Sequence, residues 1–328
     1  MFETTDNVLL PRSVLRHAVD AGLDARRLAR ASGLPGWSLG GGEEYRVHSA
    51  GYLRTWEVVE HGLGDPDAAL RIAERYAIGQ VGLYDYLFTT AATLGEGLAL
   101  CGPFVGAIST NFYFEPGTET EDEVSFEVTM INGDGRGREL AMQWALAAIF
   151  MRARLVTTTP VHPARVEFRQ RAPRDRTRLV DVFGTTAIDF DAPVDGITVR
   201  KADLETPLRT ADGRLGAILR THAAATQPVP PRRATSWTDH LAIAIGIALE
   251  DNSATVDRVA ARLYMSRRSL QRRLSEHGTT WRAELERARR HRYEVAVAAG
   301  TATGADPAAL LGYRDRRSAR RAVRRWTD

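Results

Sequence analysis

The run TVDRVAARLYMSRRSLQRRLSEHG at residues 255–278 leaves its chain few ways to fold. Thr255 and Asp257 are residues that cap a helix start, and Val256, Val259, Ala260 and Leu263 then recur at the spacing that gives a helix one apolar face. Met265-Ser266 makes a corner, with Ser266 as N-cap of a second helix. In that helix Leu270 and Leu274 stand at i and i+4 and turn toward the first, and Gly278 supplies the left-handed residue that ends it. Arg267, Arg268, Gln271, Arg272 and Arg273 are left outside. Two short helices around a tight corner make a helix-turn-helix, whose second helix enters the major groove of DNA. There Arg forks onto guanine O6 and N7, Gln pairs with adenine N6 and N7, and flanking Arg on phosphate makes affinity salt-dependent. A solvated Arg-rich face on a helical bundle would look similar, but acids are nearly absent until Glu276, which favours DNA.

The charge distribution points the same way. The chain has 328 residues, enough for about two domains. Its 44 Lys+Arg against 41 Asp+Glu leave a net charge of only +3. Residues 255–328 hold 18 Arg, no Lys and 8 acids, a net of +10, so the remainder carries −7. A basic segment joined to an acidic body implies a polyanion-binding module with a separate companion domain. Lys201 is the single Lys, and such heavy Arg use also fits a GC-rich genome, so the Arg count alone decides little. One cysteine, Cys101, excludes an intramolecular disulfide and a Cys-based zinc cluster. The opening MFETTDNVLLPRS has no basic segment followed by an apolar core, and no run approaches ~18 apolar residues, so neither a signal peptide nor a membrane span is expected and a cytoplasmic protein is the default.

Ahead of the basic region the periodicity alternates. Residues 11–34 form a helical pair punctuated by Gly22 and Gly33; a second pair covers 52–61 and 67–76, with Asp65-Pro66 opening the latter, and 93–105 form another helix stopped by Gly102-Pro103. In EVSFEVTMI the residues Val124, Phe126, Val128 and Met130 alternate with polar ones, a half-buried strand, and ISTNFYFEPG is its partner. Residues 139–156 are apolar on most faces, as a buried helix is. A short strand ARVEFRQ, a helix at 174–183, two short strands around a turn in AIDFDAPVDGITVRK, and a helix at 204–225 with an apolar stripe of Leu215, Ile218 and Leu219 follow. Helices before, between and after a small antiparallel or mixed sheet make an α+β domain at residues 1–225. TQPVPPRRATS at 226–236, with three prolines, is the linker to an all-α domain at 237–328.

Catalysis finds no support. The eight His show no metal-ligand spacing, Cys101 lies in an apolar helix with no base nearby, and LGGGEE at 39–44 is a loop without the context of a phosphate cradle, so no metal, cofactor or enzymatic activity is expected. DAGLDARRLARASGLP imitates a second DNA-binding hairpin, but its mixed charges in the acidic half favour a packing role. Phe112, Tyr113, Phe114, Phe126, Trp144 and Phe150 are an ordinary core in composition; Phe112, Phe114, Phe126 and Trp144 mark where an apolar effector would lie.

VAARLYMSRRSLQRRLSEHGTTWRAELERAR closely resembles the first helix-turn-helix of the AraC/XylS transcription regulators, and LLGYRDRRSARRAVRRWT resembles their second, with Leu311-Gly312-Tyr313, Asp315, Arg321-Ala322 and Arg324-Arg325-Trp326 keeping its frame. The resemblance implies modules at 255–278 and 305–326 joined by one helix at 281–299, whose nineteen residues span ~28 Å, close to the ~34 Å between major grooves on one DNA face. It places Arg268, Gln271 and Arg272, and then Arg316, Arg317, Arg320 and Arg321, at base-reading positions of double-stranded DNA, with Arg267, Arg273, Arg282, Arg324 and Arg325 on the backbone. The chain departs from the family at Gly304 and Pro307, which shorten the helix before the second corner, and at Ala319 and Val323, which replace usually aromatic core residues, so a loosely packed second module is expected. The first ~225 residues resemble, through GYLRTWEVVEHGLGDPDAALRIAERY and GQVGLYDYLFTTAATLGEGLAL, the arabinose-binding-like sensor half of one subgroup. That implies a half that binds a small-molecule effector or forms a homodimer, or does both, and RNA polymerase as a partner, with activator and repressor both open. An Arg-rich architectural protein without sequence choice, and an enzyme localised on DNA, are the competing readings.

Overall fold

The computed structural model of the protein describes residues 4–228 apart from 41, 43 and 44, then 237–250, 254–298 apart from 264, and 306–327 apart from 314. The chain divides into two compact units, Met1–Pro231 and Arg232–Asp328. Residues 229–236 of the expected linker, Ala299, Gly304 and part of the 39–44 loop lie outside the described residues.

In the first unit, β1 (Thr5–Asn7) pairs antiparallel with β2 (Arg46–His48), and the chain between them makes α1 (Leu9–Asp20) and α2 (Ala25–Ala31). The α1–α2 turn is fixed by Gly22 at φ 91° and by Asp24, whose carboxylate accepts from Arg27 N at 2.8 Å. Leu10, Val14, Leu15 and Ala18 make the buried face of α1. Then come α3 (Ser49–Leu63) and α4 (Ala68–Glu74). Asp65 Oδ1 accepts from Asp67 N at 3.0 Å, so Asp65-Pro66 forms a turn and α4 begins two residues beyond Pro66. The chain continues through α5 (Leu83–Thr89) to α6 (Leu94–Cys101), which Thr93 caps at Glu96 N. This helix stops four residues short of the expected Val105, because Gly102 passes so close to the backbone of β3 (Phe112–Glu119) that a Cβ there would sit 2.4 Å from the Phe114 carbonyl oxygen.

β3 pairs with β4 (Glu123–Met130), and Phe126, Val128 and Met130 point inward as the alternation requires. Behind the sheet runs α7 (Gly135–Val156), buried on most faces. β5 (Arg165–Glu167), α8 (Thr177–Phe183), β6 (Ile188–Asp189) and β7 (Asp195–Arg200) complete a mixed sheet in the order β3-β4-β7-β5-β6, with β5 and β6 parallel and the other pairs antiparallel. The two strands of residues 187–201 therefore do not pair with each other as a turn between them would imply. β5 lies between them, and Asp191 at φ 54° starts the crossing.

The single helix expected at 204–225 is two: α9 (Lys201–Leu204) and α10 (Gly213–Thr226). Between them Pro207 and Leu208 bridge to Thr93 and Thr157, and Asp212 restarts the helix by accepting from Arg214 N and Leu215 N. The apolar stripe read on this helix does not face the core. Leu215 is 42% and Ile218 66% exposed, while the buried positions of α10 are the small residues Gly216 and Ala223.

The second unit is helical throughout its described residues: α11 (Trp237–Glu250), α12 (Val256–Arg262), α13 (Arg267–Glu276), α14 (Trp281–Ala298), α15 (Pro307–Leu311) and α16 (Arg316–Thr327). Its core joins Leu241, Ile245, Ala248 and Leu249 of α11 to Val259, Ala260, Leu270 and Leu274, with Val256, Leu263, Trp281 and Leu285 at the edge. The α12–α13 corner thus rests on α11 and on the start of α14.

Candidate nucleic-acid interface and ligand cavity

α13 is held at both ends and along one side. Ser266 Oγ accepts from Ser269 N at 3.1 Å, Gly278 at φ 65° follows its last turn, and Leu270 and Leu274 are buried. That leaves Arg267, Arg268, Gln271, Arg272 and Arg273 exposed on the opposite side, as the sequence places them. Arg267 Nη1 lies 3.5 Å from Asp257 of α12, and Arg272 Nε 3.5 Å from Glu276 one turn on. Both pairs are solvent-exposed, where an ion pair is worth only ~0.2–1 kcal/mol. Exchanging either acid for a phosphate or a base edge therefore costs little. Arg282 is exposed in the first turn of α14, whose start is fixed by buried Glu284, which accepts from Thr279 Oγ1 at 2.6 Å and pairs with Arg287 at 2.7 Å.

The second corner has a different construction. Pro307 opens α15 and Asp306 caps it at Ala308 N, so this helix is short, starting where the proline requires. Gly312 at φ 64° ends it. Asp315 accepts from Ser318 N at 2.8 Å, and these hydrogen bonds hold its carboxyl below the usual range. The buried residues are Leu311 and three alanines, Ala308, Ala319 and Ala322, and α14 adds polar ties to this module. Arg289 lies over the Tyr313 ring at 3.9 Å and donates to the Leu311 and Gly312 carbonyls at 3.0 and 2.6 Å, satisfying the end of α15. Glu286 accepts from Tyr313 Oη at 2.9 Å and from Arg325 Nη2 at 2.5 Å, and Tyr293 packs on Trp326. Arg316, Arg317, Arg320, Arg321, Arg324 and Arg325 are exposed on α16; Arg316 also reaches Asp306 at 3.0 Å. Glu286, Arg289 and Tyr313 as one brace went unnoticed in the sequence, where Tyr313 stands 27 positions from Glu286 and 24 from Arg289.

In the first unit, Phe112, Phe114 and Trp144 line a cavity of about 60 Å³ between β3 and α7, open in part to solvent. Phe126 is not in its wall; it stacks on Phe114 with ring centroids 5.3 Å apart. Arg152, absent from the sequence-derived set, is the charged residue of the lining. Its Nε donates to Asp85 Oδ1 at 2.8 Å, and Tyr76 Oη also donates to that oxygen. Asp85 Oδ2 accepts from Gly79 N at 2.9 Å and Val81 N at 3.1 Å. Burial works against the guanidinium charge, but Tyr76 and Asp85 outweigh it and hold the pKa above its ordinary value. Burial likewise pushes up the hydroxyl of Tyr84 and the thiol of Cys101, which is free and unreactive in this setting. Among the described residues no three His, Cys, Asp or Glu come together as a metal site, and no helix is long and apolar enough to cross a membrane.

Residues 22–208 match the family described as the arabinose-binding domain of AraC transcription regulator, N-terminal. The chain is 24% identical over 283 residues to the ornithine utilization regulator of Pseudomonas aeruginosa, covering 80% of this chain and 77% of that protein. It is also similar to the crystal structure of the transcriptional regulator CdpR from Pseudomonas aeruginosa, at 20% identity and a TM-score of 0.42, over 80% of this chain and 84% of that one. The family match spans more than half of the sequence, and the protein belongs to the AraC-type transcription regulators that carry an N-terminal arabinose-binding domain.

Proposed function

We propose that this chain is a sequence-specific DNA-binding regulator in which α13 reads bases, α16 binds a second groove, and the first unit takes a small-molecule effector. The observation that carries the proposal is the row of exposed guanidinium groups on α13, a helix capped by Ser266 and seated by Leu270 and Leu274. A solvated face needs no such fixing, whereas base reading needs side chains presented from a rigid element. On this reading Arg268, Gln271 and Arg272 meet base edges, and Arg267, Arg273 and Arg282 meet phosphates. On α16, Arg316, Arg317, Arg320 and Arg321 face the second groove. Arg324 and Arg325 sit beyond them on the backbone, with Arg325 leaving Glu286 to do so.

A homodimer and contact with RNA polymerase are further parts of the proposal. Selection of genomic fragments by the full-length protein near physiological salt, followed by footprinting, tests it. One enriched motif with two half-sites about a helical turn apart is expected. A single short half-site would restrict base reading to α13. Uniform, salt-sensitive retention of all fragments would overturn sequence choice in favour of an architectural protein.

A further inference from the structure

The cavity between β3 and α7 has a feature that an ordinary apolar core lacks. Two of its lining residues carry buried donors with no oxygen acceptor within the described residues: Trp144 Nε1 and Arg152 Nη1, with the Cys101 thiol as a weak sulfur neighbour of the Arg152 guanidinium. Buried donors are nearly always matched, so two in one cavity point to an acceptor supplied from outside the chain. The rest of the lining, including Tyr84, Phe112, Phe114 and Ile149, offers a surface for hydrocarbon or an aromatic ring.

Charge decides the class of guest. Arg152 is the charged residue of the lining, and its charge is already balanced by Asp85, which is fully buried and engaged by Tyr76, Gly79 and Val81 as well. A carboxylate entering here would leave the site with an uncompensated negative charge, and an amine would find no free carboxylate to meet it. An uncharged oxygen acceptor satisfies the donors without disturbing that balance.

We propose that this cavity binds an uncharged, largely apolar small molecule bearing a carbonyl- or ester-type oxygen, held through the indole N–H of Trp144 and the Nη1–H of Arg152. The proposal rests on the reading of the first unit as a sensor.

The test uses the full-length protein and three probes of like chain length: methyl hexyl ketone, octanoate and octylamine. Isotope-edited NMR follows the indole N–H groups, with the Trp144 resonance assigned by Trp144→Phe, and the thermal midpoint is read in parallel. The ketone should shift the Trp144 resonance and raise the midpoint, and the two charged probes should do neither at equal concentration. Trp144→Phe, which keeps the ring and removes the donor, should weaken ketone binding roughly two- to tenfold. Ala148→Leu, which fills the cavity from α7, should abolish it. Equal or tighter binding of octanoate or octylamine at Trp144 overturns the proposed class, as does failure of all three to perturb Trp144. Ketone binding that leaves the affinity for the selected DNA unchanged keeps the class and removes the sensor role. A charged probe that binds at Trp144 and changes DNA affinity does the reverse.

Discussion

Arg272 offers the sharpest test of the interface. Its side chain is 77% exposed, and its ion pair among the described residues, with Glu276 at 3.5 Å, joins two solvated groups on one helix. Such an i,i+4 pair is worth ~0.3–0.5 kcal/mol, so Arg272→Ala should leave folding almost untouched. On the cognate site the same substitution removes a bidentate base contact worth ~1–3 kcal/mol, a loss of roughly 5- to 150-fold. On random DNA it removes one positive charge near the backbone, a much smaller and salt-dependent effect. Fluorescence anisotropy with the selected fragment and with a scrambled one, at matched salt, separates the two. Arg282→Ala is the companion: it should weaken both fragments alike and lower the salt slope by about 1. Equal losses on both fragments for Arg272→Ala, with an unchanged melting curve, would refute the base-reading assignment of α13.

Three further outcomes are expected. Asp85→Ala should destabilise the first unit by about 3–5 kcal/mol in denaturant unfolding, because it strands the buried Arg152 guanidinium, and adding Arg152→Met should recover part of the loss; a further loss in the double variant would refute the pairing. Asp6 is fully buried, donated to by Ser109 Oγ at 2.5 Å, and burial pushes its pKa from 3.8 up to about 6. The folded state then binds the proton more strongly than the unfolded chain, so this group's contribution to stability falls as pH rises from about 4 to 6, by about 3 kcal/mol. Asp6→Asn should gain on the parent protein over that window, and a pH-independent difference would refute the burial. Arg289→Ala should loosen α15 and α16 by freeing the Leu311 and Gly312 carbonyls and the Tyr313 ring, which hydrogen exchange reports as lost protection there with α13 unaffected.

The α12–α13 corner was legible because its determinants are local. Ser266, Leu270, Leu274 and Gly278 fall within thirteen consecutive residues and act through capping and periodicity alone. The β3–β4 pair was legible for the same reason, through its alternation. The sheet order was not: β5 and β6 are three and two residues long, and their parallel pairing depends on tertiary contacts that no local pattern encodes. The stripe of Leu215 and Ile218 misled because α10 packs by close approach through Gly216 and Ala223, so the size of a side chain is a poor guide to the face that docks. Arg152 and Asp85 are 67 positions apart, and each alone reads as a surface charge. The expected looseness of the second module followed from local departures, Gly304 and Pro307 before the corner and Ala319 and Val323 after it. It could not anticipate that Arg289 and Glu286 of α14 reach across to Leu311, Gly312, Tyr313 and Arg325.

α14 serves both corners: Trp281 and Leu285 belong to the first core, and Glu286, Arg289 and Tyr293 hold the second. On the proposed reading it therefore sets the phase between α13 and α16 on DNA as well as their separation. One residue inserted near its middle would turn the second corner by about 100° and advance it ~1.5 Å, taking α16 off the second groove proposed for it. Four inserted residues would return it to within about 40° while lengthening the spine by ~6 Å, a mismatch that an operator with a wider gap between half-sites could absorb. Operator spacing and the length of this one helix are in this sense complementary dimensions, and a change in either should be compensable only by the other.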